Sequence, residues 1–451
     1  MIIVRICFIN PPIQDFYSTS IRRQPLGILY IISSIKSAGH NVSFINCHSP
    51  KKHKIPIPDE FSYLDKYISN TNPALSFPFK NYYHFGLSFQ EIEKQIKSTD
   101  ANIYFISSLF TTYFQETDEI IDIIKRINPC SKIVVGGYHA ALYPEYYLQN
   151  HDVDFVIDGE GEQSSVQLLD SLINNKDLLK VPNLAYLEKD EIIKTEKNNI
   201  KDINTIPFPS RGFLKERDFK MYKTRAVSMI TSRGCPNRCD FCTGKIIWGE
   251  SYRVINIESI LSEIDECIKQ FDVKSINFED DNIFALKSRA AELLKELYNY
   301  QRIHHIGLDF TAMNGISIEQ LDEEILNLMK QAGFRELNIS LVSYSERLQK
   351  LYKRPFNSQK FADISNIAKG LGMNVRSYFI LGLPGQTKEE IEDTISFLKS
   401  LDLKIFPSVY YNVNTPEGQW KMQRSSAFFN ETEHLCRDDL FDLYNSIRLL
   451  N

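Results

Sequence analysis

The run Arg233-Gly234-Cys235-Pro236-Asn237-Arg238-Cys239-Asp240-Phe241-Cys242 places three cysteines within eight residues. It follows directly on the apolar stretch Ala226–Thr231, which predicts a buried strand. Further strands are predicted at Ser275–Phe278, Ile306–Ala312, Leu337–Val342, Val375–Leu381 and Phe406–Asn412. Helical patterns lie between them, such as Ile257–Gln270 and Ile318–Gln331. Thr387–Leu401 has the chemistry of a helix start, with Thr387 as N-cap and Glu390 as its capping-box partner. Strand–helix units in this succession make a curved parallel sheet, a partial (βα)6 version of the eight-fold barrel. Such barrels carry their chemistry on loops at the C-terminal ends of the strands. The cysteine run occupies that position after the first strand.

Working back toward the N-terminus, a second alternating series appears. Ile2–Ile9, Val42–Cys47, Ile103–Leu109, Lys132–Val135 and Val153–Ile157 are predicted strands. Gly27–Ser37, Ser88–Lys97, Glu116–Ile127 and Gly161–Leu172 are predicted helices between and after them. The alternation predicts an α/β, doubly wound, Rossmann-like domain over residues 1–185. Residues 50–87, rich in Pro, Tyr, Phe and Lys, are read as an insertion without assigned elements. Residues 186–225 are read as a linker or small strand pair, 226–415 as the barrel, and 416–451 as a short polar extension with one helix, Arg437–Leu449. No internal repeat of 20–50 residues is visible, so the alternation is architectural rather than a solenoid.

The 451-residue chain is 43% hydrophobic and 24% charged, with a net charge of -5. That balance belongs to a folded protein able to bury its own cores. The charge gives no support to a nucleic-acid or anionic-membrane partner. No apolar run approaches the roughly 20 residues that span a bilayer. The apolar start is interrupted by Arg5 and followed by Asn10-Pro11-Pro12 rather than a small-residue cleavage site, so it is read as a buried strand, not a signal peptide. A cytoplasmic protein is expected.

Of the eight cysteines, Cys7, Cys47, Cys130, Cys267 and Cys436 are scattered. The three clustered ones read as metal ligands rather than a disulfide framework. Thiolates suit an iron–sulfur cluster or zinc. Three of them hold three corners of a cubane and leave one iron open to substrate, the logic of an open catalytic position. Zinc in a structural site wants a fourth ligand, and no Cys or His lies within the next twenty residues.

The Cys-x3-Cys-x2-Cys spacing in its Gly-Cys-Pro setting resembles the radical S-adenosylmethionine (SAM) superfamily signature. The resemblance implies that Cys235, Cys239 and Cys242 ligate a [4Fe–4S] cluster and that Phe241 packs near the adenine. It implies cleavage of SAM at the open iron to methionine and a 5′-deoxyadenosyl radical, with electrons from a donor such as flavodoxin or ferredoxin. Phe278-Glu279-Asp280-Asp281-Asn282 resembles the segment near the SAM amino group; read structurally, Asp280 or Asp281 caps the next helix. Leu381-Gly382-Leu383-Pro384-Gly385 resembles a Gly-x-Pro-Gly turn near the adenine, and Gly382 and Pro384 are its candidates; a tight turn before a helix explains it equally. Tyr252-Arg253 resembles a downstream Tyr-Arg pair, the alternative being a solvent-facing Arg. Relatives often carry Gly-x-Glu-Ser-Gly after the fourth strand, whereas here Ser340-Leu341-Val342-Ser343 has Val342 in place of the carboxylate. Ser340 and Ser343 remain as candidate donors to SAM.

The N-terminal region resembles the cobalamin-binding domain of B12-type radical SAM proteins. Asn10-Pro11-Pro12, Gln24-Pro25-Leu26-Gly27-Ile28, Val135-Gly136-Gly137-Tyr138-His139 and Asp158-Gly159-Glu160-Gly161-Glu162 carry the likeness. It implies bound cobalamin, with Gly136 and Gly137 leaving room for its nucleotide tail and Asn10, Thr111 and His139 on the same rim. No Asp-x-His-x-x-Gly stretch supplies a cobalt ligand. His139 is more simply a loop hydrogen-bonder, and Glu160 and Glu162 favour a helix N-terminus. The implied function is cobalamin-dependent methyl transfer to an unactivated carbon. A second reading is cyclisation, rearrangement or other non-methyl radical chemistry with a vestigial cobalamin domain. A third is a cobalamin- or cluster-binding sensor. The substrate class, whether peptide, lipid, tetrapyrrole or small precursor, is left open.

Overall fold

The computed structural model describes residues 4–19, 24–68, 80–221, 224–424 and 427–450. The first strand, Ile6–Asn10, is buried along nearly its whole length, as a parallel strand covered on both faces must be. The expected residues 2 and 3 of that strand lie outside the described set. It pairs in parallel with Val42–Asn46 on one side and Ile103–Ser107 on the other, and Lys132–Gly136 and Phe155–Ile157 continue the sheet. The chain steps to opposite sides of Ile6–Asn10, so the switch point of the sheet lies between Ile6–Asn10 and Ile103–Ser107. Helix Leu26–Ser37 buries Ile28, Leu29, Ile32 and Ile35, the stripe its spacing predicts. Helix Phe89–Ser98 opens on a capping box of Ser88 and Glu91.

Two expectations change here. Leu184–Glu188 and Glu191–Lys194 form a hairpin that extends the first sheet antiparallel to Phe155–Ile157, so the sheet runs past the boundary expected at 185. Residues 50–87 are not without elements. Lys52–Ile55 and Tyr82–Phe85 join Ile13–Asp15 in a three-stranded antiparallel sheet. Its strands are three or four residues long and one carries Lys52, His53 and Lys54 on exposed backbone, too short and polar for an alternation to register.

The second half is the partial barrel. Its six parallel strands are Thr224–Met229, Ser275–Phe278, Asp309–Thr311, Glu336–Val342, Asn374–Leu381 and Lys404–Val409. The ladder loosens between the third and fourth, where the single parallel bridges Phe310↔Phe334 and Ile316↔Ile339 carry it. Phe278 stacks on Phe310 at 5.6 Å and both lie against Phe334, filling the barrel with rings. Helix Lys388–Ser400 starts on the expected Thr387–Glu390 capping box. The C-terminal segment is more than a polar extension: helix Arg437–Arg448 packs Leu440 against Gly382, and Trp420 is buried against the N-terminal domain. No helix among the described residues is long and apolar enough to cross a membrane.

Candidate active site

The three cysteines lie on the loop 234–252, closed at its neck by the antiparallel pair Ser232–Arg233 and Arg253–Val254. Gly234 enters the loop at φ +82°, and a Cβ there would stand 2.3 Å from the Ser251 carbonyl oxygen. Only glycine fits that turn. Cys239 is buried, Cys235 half-buried and Cys242 exposed. Among the described residues no three His, Cys, Asp or Glu side chains stand together at metal-ligating distance. Each sulfur instead faces a donor. Asn282 Nδ2 lies 3.8 Å from Cys235 Sγ, Arg354 Nη1 4.0 Å from Cys239 Sγ, and the Gly244 amide 3.5 Å from Cys242 Sγ. Burial pushes the Cys235 and Cys242 thiols up, and the contacts from Asn282 and Gly244 work against it. Donors around three sulfurs suit anionic thiolates of a cluster; a zinc site would need another electron-pair ligand. The donor set therefore fits a sulfur-ligated cluster with one open corner.

The structure separates the two aspartates of the second-strand segment. Asp280 is buried beneath the loop and accepts from Thr231 N at 3.0 Å, Thr231 Oγ1 at 2.8 Å and Ser232 Oγ at 2.5 Å. Burial pushes it up to about 6 against those hydrogen bonds. It ties the first barrel strand to the second. Asp281 is exposed beside the loop, accepts from the Gly234 amide, and lies near Gly244. Neither caps the next helix, Lys287–His304, whose N-cap is Leu286 without a side-chain bond.

Phe241 packs edge-on to Tyr352 at 5.9 Å, and Tyr352 Oη donates to the Pro384 carbonyl at 2.7 Å. The Gly382 and Leu383 amides both donate to Gln386 Oε1. Tyr352 thereby links Phe241 to Pro384, while Gly382 is buried against Leu440. Ser340 lends its carbonyl to Arg354 at 3.3 Å. Ser343 is fully buried and its Oγ accepts from Ser345 N, which commits it to the following turn rather than to a ligand. Between them Val342 sits at φ +68° in a β-bulge, a left-handed conformation costly for a β-branched residue.

The N-terminal candidates divide in the same way. Asn10 Nδ2 donates to Asn46 Oδ1 across the strand ends at 2.8 Å. Gly136 has ordinary space around it, whereas Gly137 at φ +119° brings its backbone against Ser108, where a Cβ would meet the carbonyl oxygen at 2.5 Å. Close packing of two strand ends, not room for a nucleotide, requires that glycine. His139 is fully buried with Nδ1 3.2 Å from Thr111 Oγ1, inside a ring of Phe114, Tyr143, Tyr146, Tyr147 and Trp420. Burial pushes it down to about 3, so it is a neutral core imidazole. Thr111 alone of this group lines a cavity.

That cavity, of about 320 Å³, opens at the switch point of the first sheet. Residues 109–113 form one wall, Thr243 of the cysteine loop faces them, and Tyr411 and Val413 close it from the end of the sixth barrel strand. Asp15 and Arg424 supply its charged wall. Among the described residues that line it there is no His, Cys, Met or Lys. The cavity lies at the switch point, where sheets of this kind take a cofactor, and its volume is smaller than a whole corrinoid.

Sequence reasoning missed Arg354 and Arg424, which sit in polar stretches without a motif, and Tyr411, at the end of an expected strand. It did not foresee the partners of Arg253, Glu160 and Glu162, although both acids stand at the expected helix N-terminus. Glu160 occupies the N-cap of helix Gly161–Asn174 but makes no side-chain cap. Instead, Glu160 and Glu162 reach Arg233 at 2.6 and 2.5 Å, and Glu160 also takes Arg253 at 2.7 Å.

Comparison with known proteins agrees with this architecture. The radical SAM superfamily model matches residues 229–398 and the B12 binding domain model residues 22–169, together well over half of the chain. The chain is 29% identical over 319 residues to an uncharacterized methyltransferase of Pyrococcus horikoshii, covering 70% of this chain and 68% of that one. It is 24% identical over 405 residues to cytidylyl-2-hydroxyethylphosphonate methyltransferase of Streptomyces wedmorensis, covering 82% and 71%. Its fold is similar to that of the radical SAM methyltransferase TsrM of Kitasatospora setae, solved with cobalamin and a [4Fe–4S] cluster. The TM-score is 0.68 at 13% identity, over 90% of this chain and 74% of that one.

Proposed function

The chain belongs to the radical SAM proteins that carry a B12-binding domain, and from that premise we propose that it methylates an unactivated carbon of a small molecule held between its domains. One observation carries the reading: a single cavity is walled on one side by the switch-point crevice and on the other by Thr243, the residue after Cys242. Both cofactor regions thus face the same space, as a transfer between them requires.

Cys235, Cys239 and Cys242 would hold the cluster, with Asn282 Nδ2, the Gly244 amide and Arg354 Nη1 donating to the cysteine sulfurs. Arg354 is itself fixed by Ser317 Oγ at 3.0 Å and the Ser340 carbonyl, so its donor is aimed before any ligand arrives. When bound, the cluster supplies the electron that cleaves SAM, and cobalamin supplies the methyl carrier. Tyr113, Phe110, Tyr138 and Tyr411 surround the cavity with rings and exclude water from it. Residues 109–113 at the switch point would seat the corrinoid. The electron donor is a low-potential partner such as flavodoxin or ferredoxin, and the reaction belongs in the reduced cytoplasm.

Anaerobic purification with hydroxocobalamin supplied should give about one cobalamin and about four irons per chain. Reduced with dithionite, the protein should form 5′-deoxyadenosine from SAM, and Cys239→Ala should form none. With substrate, S-adenosylhomocysteine and 5′-deoxyadenosine should appear together. Iron without cobalamin, or 5′-deoxyadenosine with no homocysteine product, would replace methyl transfer with other radical chemistry. Cofactor binding without any SAM turnover would make the chain a sensor.

A further inference from the structure

The neck of the cysteine loop has an arrangement that the barrel alone does not stabilise. Arg233 and Arg253 stand directly opposite each other in its two-residue ladder. Like charges so placed repel, and Arg233 is only 3% exposed. The counter-charge comes from the other domain. Glu160 takes Arg233 on Oε1 at 2.6 Å and Arg253 on Oε2 at 2.7 Å, so one carboxylate spans both strands of the neck. Its Oε2 also accepts from Ile200 N at 2.7 Å. Glu162 takes the second arm of Arg233 at 2.5 Å. Two guanidinium groups thus face two carboxylates, and the Trp248 and Tyr30 rings lie within 5.2 and 5.5 Å of Arg233. Cys235 follows Arg233 by two residues, so the path of the loop is set from this point.

We infer that Glu160 is a positioning residue for the cysteine loop: it clasps Arg233 to Arg253 and so fixes the spacing of the three thiols from the N-terminal domain. The inference rests on the reading that these thiols hold a cluster. It gives the N-terminal domain a role in the radical chemistry that is independent of any cofactor the domain carries. The first domain acts on the thiols through the neck, because Glu160 touches no sulfur.

The test uses the full chain with Glu160→Gln, which keeps the shape and removes the charge. Wild type and variant are reconstituted anaerobically with limiting iron and sulfide, and iron and sulfide are counted per folded chain. The spectrum of the reduced cluster and hydrogen–deuterium exchange across 234–252 are recorded alongside. Cluster occupancy should fall about tenfold, as loss of a partner behind metal ligands commonly does. Exchange should rise within 234–252 while strand Ser275–Phe278 keeps its protection. A variant that melts earlier yet loads fully, with wild-type exchange in the loop, would show a purely structural ion pair and overturn the inference. A wild type that takes up no cluster would instead sink the cluster reading, and the inference with it. Should Glu160→Gln fail to fold, Arg253→Lys keeps the charge but loses the planar guanidinium whose Nη1 reaches both Glu160 and the Ile200 carbonyl. The same pattern at smaller amplitude is then expected, and full occupancy with an unchanged loop overturns the claim.

Discussion

Two buried arginines join the N-terminal domain to the rest of the chain, and they are held in opposite ways. Arg233 meets its carboxylates at 2.5 and 2.6 Å. Arg424 has Asp15 at 3.6 Å and Glu116 at 3.8 Å, and spends its N–H groups on the carbonyls of Gln14 and Lys421. The rings of Tyr113, Phe61 and Tyr82 surround it at 5.3–5.5 Å. The first arrangement neutralises charge at contact and offsets desolvation by charge-assisted bonds. The second leaves its carboxylates less compensated, and burial pushes Glu116 up to about 7 in spite of Arg424. Only the second borders the cavity. The tight pairing lies at the neck of the cysteine loop and the loose pairing beside the cavity.

The largest expected difference is between Arg233→Ala and Arg424→Ala. Removing Arg233 strands buried carboxylates and should cost about 3–5 kcal/mol in denaturant unfolding. Removing Arg424 should cost only about 2 kcal/mol, because Glu116 takes a proton rather than staying charged. Equal losses would erase the contrast.

Next in size is a pH effect. A carboxylate raised from 4.5 to about 7 in the folded state favours folding below its ordinary range, and that contribution is lost as pH rises through 7. Wild type should therefore lose on the order of 2 kcal/mol more stability than Glu116→Gln between about pH 5 and about pH 8. Asp118, pushed up to about 7 by its own burial, is present in both proteins. Parallel pH profiles would mean that Glu116 stays paired with Arg424 as an ion.

The smallest effect is at His139, whose Nε2 is buried inside the aromatic ring with no hydrogen-bond partner among the described residues. His139→Phe should change stability by less than about 1.5 kcal/mol and leave the cobalamin spectrum as it was. A shift in that spectrum would make the imidazole a cofactor neighbour after all.

The barrel and its cysteine loop were legible because strand burial, spacing and thiol chemistry act locally. Ser275–Phe278 and the Thr387–Glu390 cap stand where the pattern put them. What was illegible depends on meeting between distant segments. Nothing near Glu160 announces Arg233, 73 residues on, and Arg424 lies 410 residues from Gln14. Asp280 and Asp281 are neighbours in sequence, yet one closes a strand end and the other faces the loop. Gly137 read as space for a cofactor because a glycine's absent side chain has no preferred cause; only the neighbouring strand end shows which backbone it lets approach.

The clasp at the neck also bears on how such proteins can be recombined. A barrel cut free before Thr224 would carry two mutually repelling guanidinium groups with their counter-charges left behind, so it is not a portable module. An exchange of N-terminal domains between relatives would succeed only where the incoming turn presents carboxylates at the positions of Glu160 and Glu162. The two halves also share one hydrophobic core, to which Phe16, Leu29 and Phe61 contribute from the first and Val227 and Phe278 from the second.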